Sequence, residues 1–368
     1  MDILPFAQPL TRRDDCVDAA RRVTLAATSV DCLVTGGTGL VGNNVIRTLL
    51  NQGRRVRTLV RSRSGERELD GLDVERIVGD VTNADAVRQA VTGARIVIHS
   101  AAMVHVGWWQ LAEMRRVNVE GTRLIAQAAR REGARLIHVS SVNALGLTGD
   151  GSPADEETPF GNLVECPYVV TKREAEQVVL DEIARGLDAV IVNPVFMLGP
   201  WDWKPSSGRM LVEVGEGRGL FAPPGSQHFG DVRDVTAAII AAITAGKCGR
   251  RYILGGHHLP FLEAWSLFAR VAGRRPPLGE APPPMVRFAG RVGDLVASCL
   301  GREGPLNSAA TSMSLLRQHY SSDRAQTELG YMIRPLEESV EDCWRWLVDA
   351  GHARMPRSAM RPLRLGAS

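Results

Sequence analysis

The sequence lacks any apolar stretch long enough to cross a membrane. Its longest helical apolar run, residues 235–245, is about half of the ~20 residues that a bilayer requires. The first 29 residues contain several acids and no apolar core of the kind that a secretory signal needs. None of the six cysteines forms a C-x-x-C pair, which excludes zinc and thioredoxin-type spacings. These absences predict a cytoplasmic protein with reduced thiols and no integral membrane segment.

Lysine is scarce as well. Only Lys172, Lys204 and Lys247 stand among the 44 basic residues, and all the others are arginine. Arginine cannot lose its charge or act as a compact ammonium donor, so a lysine kept in such a chain can mark a place where those properties matter. Survival of compositional drift is the alternative for each of the three.

Charge of one sign is not in excess. The 44 basic and 41 acidic residues give a net charge of +3, and residues 351–368 hold four arginines and no acid. The rest of the chain is therefore about neutral, which argues against a large nucleic-acid-binding face and favours a small-molecule partner. With 44% apolar residues over a length of 368, the composition is that of an ordinary globular protein.

Strand and helix patterns alternate along the first half of the chain. After an extension over residues 1–29, which can form a helix over 17–27, six segments are rich in strand-forming residues. These segments are 32–34, 56–60, 74–78, 96–98, 136–139 and 189–192. The alternation predicts parallel βαβ units and a doubly wound α/β sheet, a Rossmann domain over residues 30–194.

The pattern changes after Pro194. Residues 199–230 have the composition of a loop, and 274–284 are rich in proline. We expect a smaller, mainly helical substrate lobe built from 195–230 and 257–350, with 231–256 returning to the sheet. Residues 351–368 form an arginine-rich tail, and no internal repeat is visible.

A glycine-rich turn follows the first strand and opens the first helix. Glycines let the backbone turn tightly and approach a pyrophosphate, whose charge sits at the helix N-terminus. A purely structural turn that needs positive φ angles is the alternative. The residues predicted to bind the cofactor here are Thr35, Gly36, Gly37, Thr38, Gly39, Leu40, Val41 and Gly42.

The end of the second strand bears on the choice of cofactor. In an NAD site an acid about 20 residues after the glycines grips the ribose 2′-hydroxyl. Here Arg61 follows the strand and the first acid is Glu66. An arginine suits a 2′-phosphate, so we expect a preference for NADP, with NAD possible and a solvated arginine as the alternative. Asp80 and Val81, after the third strand, are predicted on the adenine side.

The spacing of Tyr168 and Lys172 carries the predicted chemistry. The two lie at i and i+4, hence on one face of a helix, and this spacing is seldom met by chance with four tyrosines and three lysines. An adjacent ammonium favours the phenolate, which lets the tyrosine exchange a proton with a hydroxyl or carbonyl oxygen. Ser140 and Ser141 follow a predicted strand, and a serine at that place can hydrogen-bond the same oxygen.

These motifs together resemble the extended short-chain dehydrogenase/reductase family, over about residues 31–350. The likeness rests on T-G-G-T-G-L-V-G, N-V-E-G-T, S-S and Y-V-V-T-K. Within the family the chain is most similar to the dihydroflavonol-reductase-like and hopanoid-associated epimerase branch, through G-P at 199–200, K-P at 204–205, R-Y-I-L-G-G at 251–256, S-S-D at 321–323 and E-L-G-Y at 328–331. The resemblance implies catalytic roles for Ser141, Tyr168 and Lys172, a 2′-phosphate contact for Arg61, and a homodimer through helices that flank the sheet. It also implies cofactor contacts from Lys172, Ala101, Ala102, Asn118, Asn193 and Pro194.

One departure from the sugar epimerases of that family concerns the substrate. Residues 227–232 lack the arginine that approaches the diphosphate of a nucleotide sugar. We therefore expect an NADP-preferring oxidoreductase that reduces a ketone, or oxidises the matching alcohol, on an apolar ring-bearing molecule. The alternatives are a sugar-nucleotide epimerase or dehydratase that retains NAD, and a non-catalytic NADP sensor.

Several other residues invite a functional interpretation. Four tryptophans in loops can overhang the site or simply cover it, namely Trp108, Trp109, Trp201 and Trp203. His99 and His138 are expected to be hydrogen-bonded core residues. For His105 a structural role is expected, with contact to the substrate as the alternative. The pair at 257–258 has no third ligand at metal spacing, so we expect no metal. Residues 285–300 predict an amphipathic helix that packs on the second lobe, with contact to a membrane surface as the alternative.

Overall fold

The computed structural model describes residues 30–61 and 67–354. The predicted helix over 17–27 and most of the arginine-rich tail lie outside the described residues. Within the described ranges, no helix is both long and apolar enough to cross a membrane.

A seven-stranded parallel sheet forms the centre of the molecule. Its strands are β1 (Val30–Thr35), β2 (Val56–Val60), β3 (Glu75–Val78), β4 (Ala94–His99), β5 (Arg135–Val139), β6 (Ala189–Pro194) and β9 (Arg251–Leu254). Their order across the sheet is β3-β2-β1-β4-β5-β6-β9. The first six strands have the order of dinucleotide-binding folds, with the switch in direction between β1 and β4. The predicted doubly wound fold is confirmed.

Helices cover both faces of this sheet because the strands are apolar on both sides. Along β1, Cys32 and Val34 pack on one face and Leu33 on the other, as the period of two requires. One face is covered by α1 (Leu40–Asn51), α7 (Val232–Ala242) and α11 (Asp323–Leu329). The other is covered by α2 (Ala84–Val91), α4 (Gly121–Glu132) and α5 (Pro167–Ile183); the short α3 (Leu111–Met114) and a π-turn (Arg115–Glu120) lead into α4.

A second sheet of three strands lies in the C-terminal lobe. Its strands are β7 (Phe196–Leu198), β8 (Ser226–Asp231) and β10 (His257–Pro260), and β8 lies between the other two. The helices of this lobe are α6 (Gly208–Gly215), α8 (Phe261–Val271), α9 (Pro283–Leu300), α10 (Ser308–Met313) and α12 (Leu336–Asp349). Phe229, Phe268 and Trp344 form the centre of its core.

The loop predicted over residues 199–230 is therefore wrong in part, since it contains α6 and β8. The sequence of β8, Ser-Gln-His-Phe-Gly-Asp, has little intrinsic preference for a strand, and it becomes one because it pairs with both neighbouring strands. Residues 251–254 pair in parallel with β6, which places this segment in the large sheet.

Candidate active site

Two glycines of the glycine-rich turn, Gly36 and Gly42, have no room for a side chain. Gly36 has φ +72°, and a Cβ there would lie 2.7 Å from the Ala101 backbone nitrogen. A Cβ on Gly42 would collide with the Gly36 carbonyl. Gly39 precedes α1 in extended conformation, and none of the described side chains caps this helix. Its first N–H groups are therefore available to an anion, and the turn fits the pyrophosphate of a dinucleotide.

Buried hydrogen bonds stabilise the segments that pack behind this turn. The Thr35 hydroxyl lies 2.7 Å from His99 Nδ1, and His99 Nε2 lies 3.0 Å from the Thr122 hydroxyl. Asn118 accepts from the Met103 N–H at 2.7 Å and donates to the Met103 carbonyl at 3.0 Å. Asn118 thus fixes the loop that carries Ala101 and Ala102, and its side chain is already bonded within the chain.

The residues predicted at the adenosine end lie together at the ends of β2 and β3. Asp80 accepts from the backbone and the hydroxyl of Thr82 at 2.9 and 2.7 Å, and Arg116 donates to the same hydroxyl at 2.8 Å. Burial raises the pKa of Asp80, but the Thr82 hydrogen bonds and the charges of Arg61 and Arg116 leave it below its ordinary value. Val81 packs against the start of α4. Arg116 lies beside the residues predicted at the adenosine end, and the sequence analysis did not identify it.

Ser141 lies two residues beyond Val139, the last residue of β5. Its hydroxyl accepts from the Asn143 N–H at 3.2 Å, which caps the short turn Val142–Ala144. Asn193, at the end of the neighbouring β6, donates to the Ser141 carbonyl at 3.0 Å. Asn193 and Pro194 are themselves buried. The two strand ends are thereby joined beside the start of α5.

Tyr168 and Lys172 lie one turn apart near the N-terminus of α5, whose first residue is Pro167. Burial raises the pKa of Tyr168, and hydrogen bonds from Ser141 and Asn143 oppose this rise. Lys172 is 6% exposed and its ammonium donates to the Val139 carbonyl at 3.3 Å. Burial lowers the pKa of Lys172 to about 8. The structure thus brings the three predicted catalytic side chains to one place.

The expected lowering of the tyrosine pKa by lysine is not what the structure shows. The largest effect on the phenol is desolvation, which disfavours the phenolate. Lys172 is directed to a backbone carbonyl rather than to the phenol. In this arrangement Tyr168 is held as a phenol.

Glu176 is a site residue that the sequence analysis missed. Its carboxylate, 2% exposed, lies one turn beyond Lys172 and accepts from Asn193 and from Arg251, the latter at 2.7 Å. Its charge raises the pKa of Lys172 and so opposes the effect of burial. The i+4 spacing from Lys172 was the signal in the sequence that could have found it.

The two strand histidines differ from each other. His99 is hydrogen-bonded on both nitrogens, as expected. His138 is buried as expected, with 2% exposure. The expectation that it is hydrogen-bonded is wrong, because neither ring nitrogen has a partner among the described residues. Burial lowers the pKa of both, so they are neutral. His105 lies 2.6 Å from the buried carboxylate of Glu303, which gives it a partner within the chain.

A cluster of histidines overturns the reasoning that residues 257–258 lack further ligands nearby. His228, His258 and His319 each place one ring nitrogen within 4.8 Å of the others. Two of these side chains come from paired strands and the third from a loop distant in sequence, so no spacing in the sequence predicts the cluster. The rings of His258 and His319 stack at 4.1 Å with planes 10° apart, so their in-plane lone pairs do not converge on one point.

The four loop tryptophans fall into two pairs. Trp108 and Trp109 are 45% and 38% exposed, and their backbone N–H groups donate to Glu303. Trp201 and Trp203 pack against Trp346 of α12, and the Arg47 guanidinium lies 3.4 Å from the Trp201 ring centre. The second pair therefore joins α1 to the C-terminal lobe and is separate from the apolar residues around Tyr168.

The other two lysines have ordinary surface contacts. Lys204 pairs with Glu68 at 3.0 Å and Lys247 with Glu328 at 3.1 Å, and both ammonium-bearing side chains are more than half exposed. Lys172 differs from both in being buried.

Comparisons with known proteins agree with this geometry. The model of the NAD dependent epimerase/dehydratase family matches residues 32–255. The chain is 33% identical over 323 residues to the sterol demethylase protein B of Methylococcus capsulatus, covering 87% of this chain and 98% of that protein. It is 27% identical over 336 residues to the 4-hydroxy-2-methyl-3-oxo-4-farnesyl-3,4-dihydroquinoline-1-oxide ketoreductase of Stigmatella aurantiaca, covering 89% and 99%. The crystal structure of gox2253 is 35% identical with a TM-score of 0.78, covering 89% of this chain and 100% of that one. The resemblance that the motifs predict is confirmed: the chain belongs to the NAD-dependent epimerase/dehydratase family and is an NAD(P)-dependent oxidoreductase.

Proposed function

We propose that this enzyme is an NADP-preferring oxidoreductase that reduces a ketone, or oxidises the matching secondary alcohol, on an apolar ring-bearing molecule. The observation that carries the proposal is the convergence of Ser141, Tyr168 and Lys172 where β5 and α5 meet. A homodimer and a cytoplasmic location belong to the same proposal, and light scattering tests the first.

Each of the three side chains has a distinct task. A bound nicotinamide supplies the hydride for reduction or accepts it in the reverse direction. Tyr168 donates its phenolic proton to the oxygen that becomes the alcohol, and Ser141 donates a hydrogen bond to the same oxygen. Lys172, as an ammonium, stabilises the negative charge left on the Tyr168 oxygen. Lys172, together with the glycine-rich turn and Asp80, also belongs to the set that would hold the cofactor.

The raised pKa of Tyr168 favours the reductive direction at neutral pH. A phenol that keeps its proton is ready to act as a general acid, whereas alcohol oxidation requires it to start as the phenolate. We therefore expect oxidation to become competitive only under alkaline conditions.

The surroundings of Tyr168 support an apolar substrate. The side chains that pack around it are largely apolar, and they are contributed by the 103–109 loop, the 160–166 loop, α5 and α10. They are Val106, Phe160, Leu163, Val164, Val169, Ala309 and Met313, with Cys166. The name of the similar Stigmatella aurantiaca enzyme describes a ketone on a farnesyl-bearing ring, which is the substrate class proposed for this chain.

Replacement of the tyrosine tests the proposal directly. We expect Tyr168→Phe to abolish NADPH-dependent reduction across a panel of cyclic ketones, because no proton reaches the product oxygen. Binding of NADPH, followed by its fluorescence, should change little. A variant that retains turnover would refute the assignment of Tyr168.

An epimerase or dehydratase with retained NAD is the second candidate, and it is favoured by the family that the chain matches. The two are separated by denaturing freshly purified protein and identifying released nucleotide by mass spectrometry. Near-stoichiometric NAD would support the second candidate. An empty site or a trace of NADP would support an exchanging cofactor and the reductase.

A further inference from the structure

Helix α9 exposes a continuous apolar stripe. Its members recur every three or four residues along one side of the helix, and each is between 41% and 67% exposed. They are Met285, Phe288, Val292, Leu295, Val296 and Leu300. Large apolar side chains standing singly on a surface need no special account, but six aligned on one helix indicate a surface that meets something apolar.

The contact of α9 with the rest of the protein uses a different side of the helix. Gly290 and Ala297 are buried, and a Cβ on Gly290 would collide with the Thr311 hydroxyl of α10. Asp294 accepts from the Ser308 N–H at 2.9 Å and anchors the start of α10. The predicted packing on the second lobe is thus made by small residues, and it leaves the apolar stripe uncovered.

Cations adjoin the stripe. At 100° per residue, Arg287 and Arg291 fall on a third side of the helix, between the stripe and the face that packs on α10. Both are exposed, as is Arg302 just after the helix, and none of the three pairs with an acid in the part of the chain that the structure describes. The acids nearest in sequence are engaged: Asp294 at Ser308, as above, and Glu303 at His105.

From this combination we infer that α9 is an interfacial helix that lays its stripe on an anionic lipid surface, with Arg287 and Arg291 at the phosphate headgroups. Exposed apolar residues beside arginines are the composition of helices that lie in the plane of a membrane surface. A second copy of the chain fits less well. In a symmetric antiparallel pair the arginine rows would lie on the same side without an acid of α9 to pair them, since Asp294 is engaged at Ser308, and in a parallel pair they would face solvent and take no part in the contact.

The stripe is also close to the proposed site. α9 packs on α10, whose Ala309 and Met313 lie in the apolar cluster around Tyr168. The indole N–H of Trp108 donates to Ser308 at 2.7 Å, which places an exposed tryptophan at the same edge. Docking through α9 would therefore bring the site to the phase in which an apolar substrate dissolves; this last point rests on the proposed function, whereas the lipid contact does not.

Vesicle flotation with the full-length protein tests the inference. We expect the wild type to float with vesicles of phosphatidylcholine and phosphatidylglycerol at about 7:3, and to bind pure phosphatidylcholine more weakly. Phe288→Ser with Leu295→Ser should weaken partitioning by about tenfold or more, since two large apolar contacts are lost. Arg287→Gln with Arg291→Gln should weaken binding to the anionic vesicles by about fivefold per arginine.

Matched controls distinguish the α9 stripe from the remaining apolar and basic parts of the surface. Val78→Ser with Met332→Ser removes two side chains of similar exposure on other elements, and should leave flotation unchanged. All variants keep residues 355–368, so binding through the terminal arginines alone would make the α9 variants float like the wild type and overturn the inference. The inference would also be overturned if the wild type did not float. It would be overturned too if the wild type were a dimer that dissociates in the Phe288→Ser, Leu295→Ser variant, because the stripe would then be an interface between two copies of the chain. The rate at which each α9 variant reduces a small water-soluble ketone, measured without vesicles, should equal that of the wild type. This assay tests the proposed function separately from the lipid contact.

Discussion

Glu176 offers a test of how the buried lysine is tuned. Glu176→Gln keeps the shape of the side chain and an oxygen for the Asn193 amide, but removes a negative charge one helical turn from Lys172. Opposite unit charges about 6 Å apart attract by about 3 kcal/mol at an effective dielectric of about 20. Arg251, 2.7 Å from the other oxygen, keeps its charge in the variant and therefore does not reduce this change. Since one pKa unit corresponds to about 1.4 kcal/mol, we expect the pKa of Lys172 to fall by about two units from its value of about 8.

The assay is the pH profile of kcat/KM for ketone reduction between about pH 5 and 10, which brackets the titration of the lysine in both proteins. Lys172 acts as an ammonium, so activity should fall as pH rises through its pKa, near pH 8 in the wild type. A lower pKa moves that fall to lower pH, by about two units in Glu176→Gln. A residue that only supports the fold would reduce the rate without moving the profile.

Two further variants define the control. Glu174→Gln removes a carboxylate on the same helix that is 35% exposed and pairs with Arg115, and should leave the profile where it is. Arg251→Gln removes the cation that offsets Glu176, and should move the fall to higher pH. An unshifted profile in Glu176→Gln, or a shift to higher pH, would refute the electrostatic role of Glu176 and leave it a structural residue.

The remaining predictions concern the cofactor and the buried histidines. Arg61→Ala should weaken binding of NADPH much more than that of NADH in fluorescence titrations, because only NADPH carries the 2′-phosphate; equal losses would remove the basis for NADP preference. His138→Leu should leave the free energy of unfolding unchanged or raise it, since it removes two buried nitrogens that have no partner among the described residues. His99→Leu should lower it by about 2 kcal/mol, because it breaks contacts to Thr35 and Thr122; urea denaturation of both variants would contradict this reasoning if they behaved alike.

The large sheet and its nucleotide turn were predictable because their signals are local. Strands β1 to β6 are short segments rich in strand-forming residues, and the predicted 56–60 segment matches β2 residue for residue. The glycine-rich turn must lie between a strand and a helix to bind a pyrophosphate, and the residues on either side of it predict both elements. The Tyr168 and Lys172 pair is local too, since a helix places i and i+4 together whatever surrounds it.

Contacts between distant segments were not predictable in the same way. Three features depend on residues far apart in sequence: the pairing of β8, the contact of His105 with Glu303, and the histidine cluster. No spacing within the sequence predicts these contacts. The environment of the His138 nitrogens likewise depends on which side chains reach the strand from other elements.

By itself, the sequence determined the fold class, the family, the cofactor turn and the candidate catalytic side chains, because each rests on a short-range pattern. The tertiary structure alone decided that burial dominates the titration of Tyr168, that Glu176, paired with Arg251, raises the pKa of the buried Lys172, and that α9 turns its small residues inward and its large ones outward. The physical reason is common to all three: desolvation, charge pairing and burial depend on what the folded chain brings alongside a residue, and periodicity does not specify that neighbour.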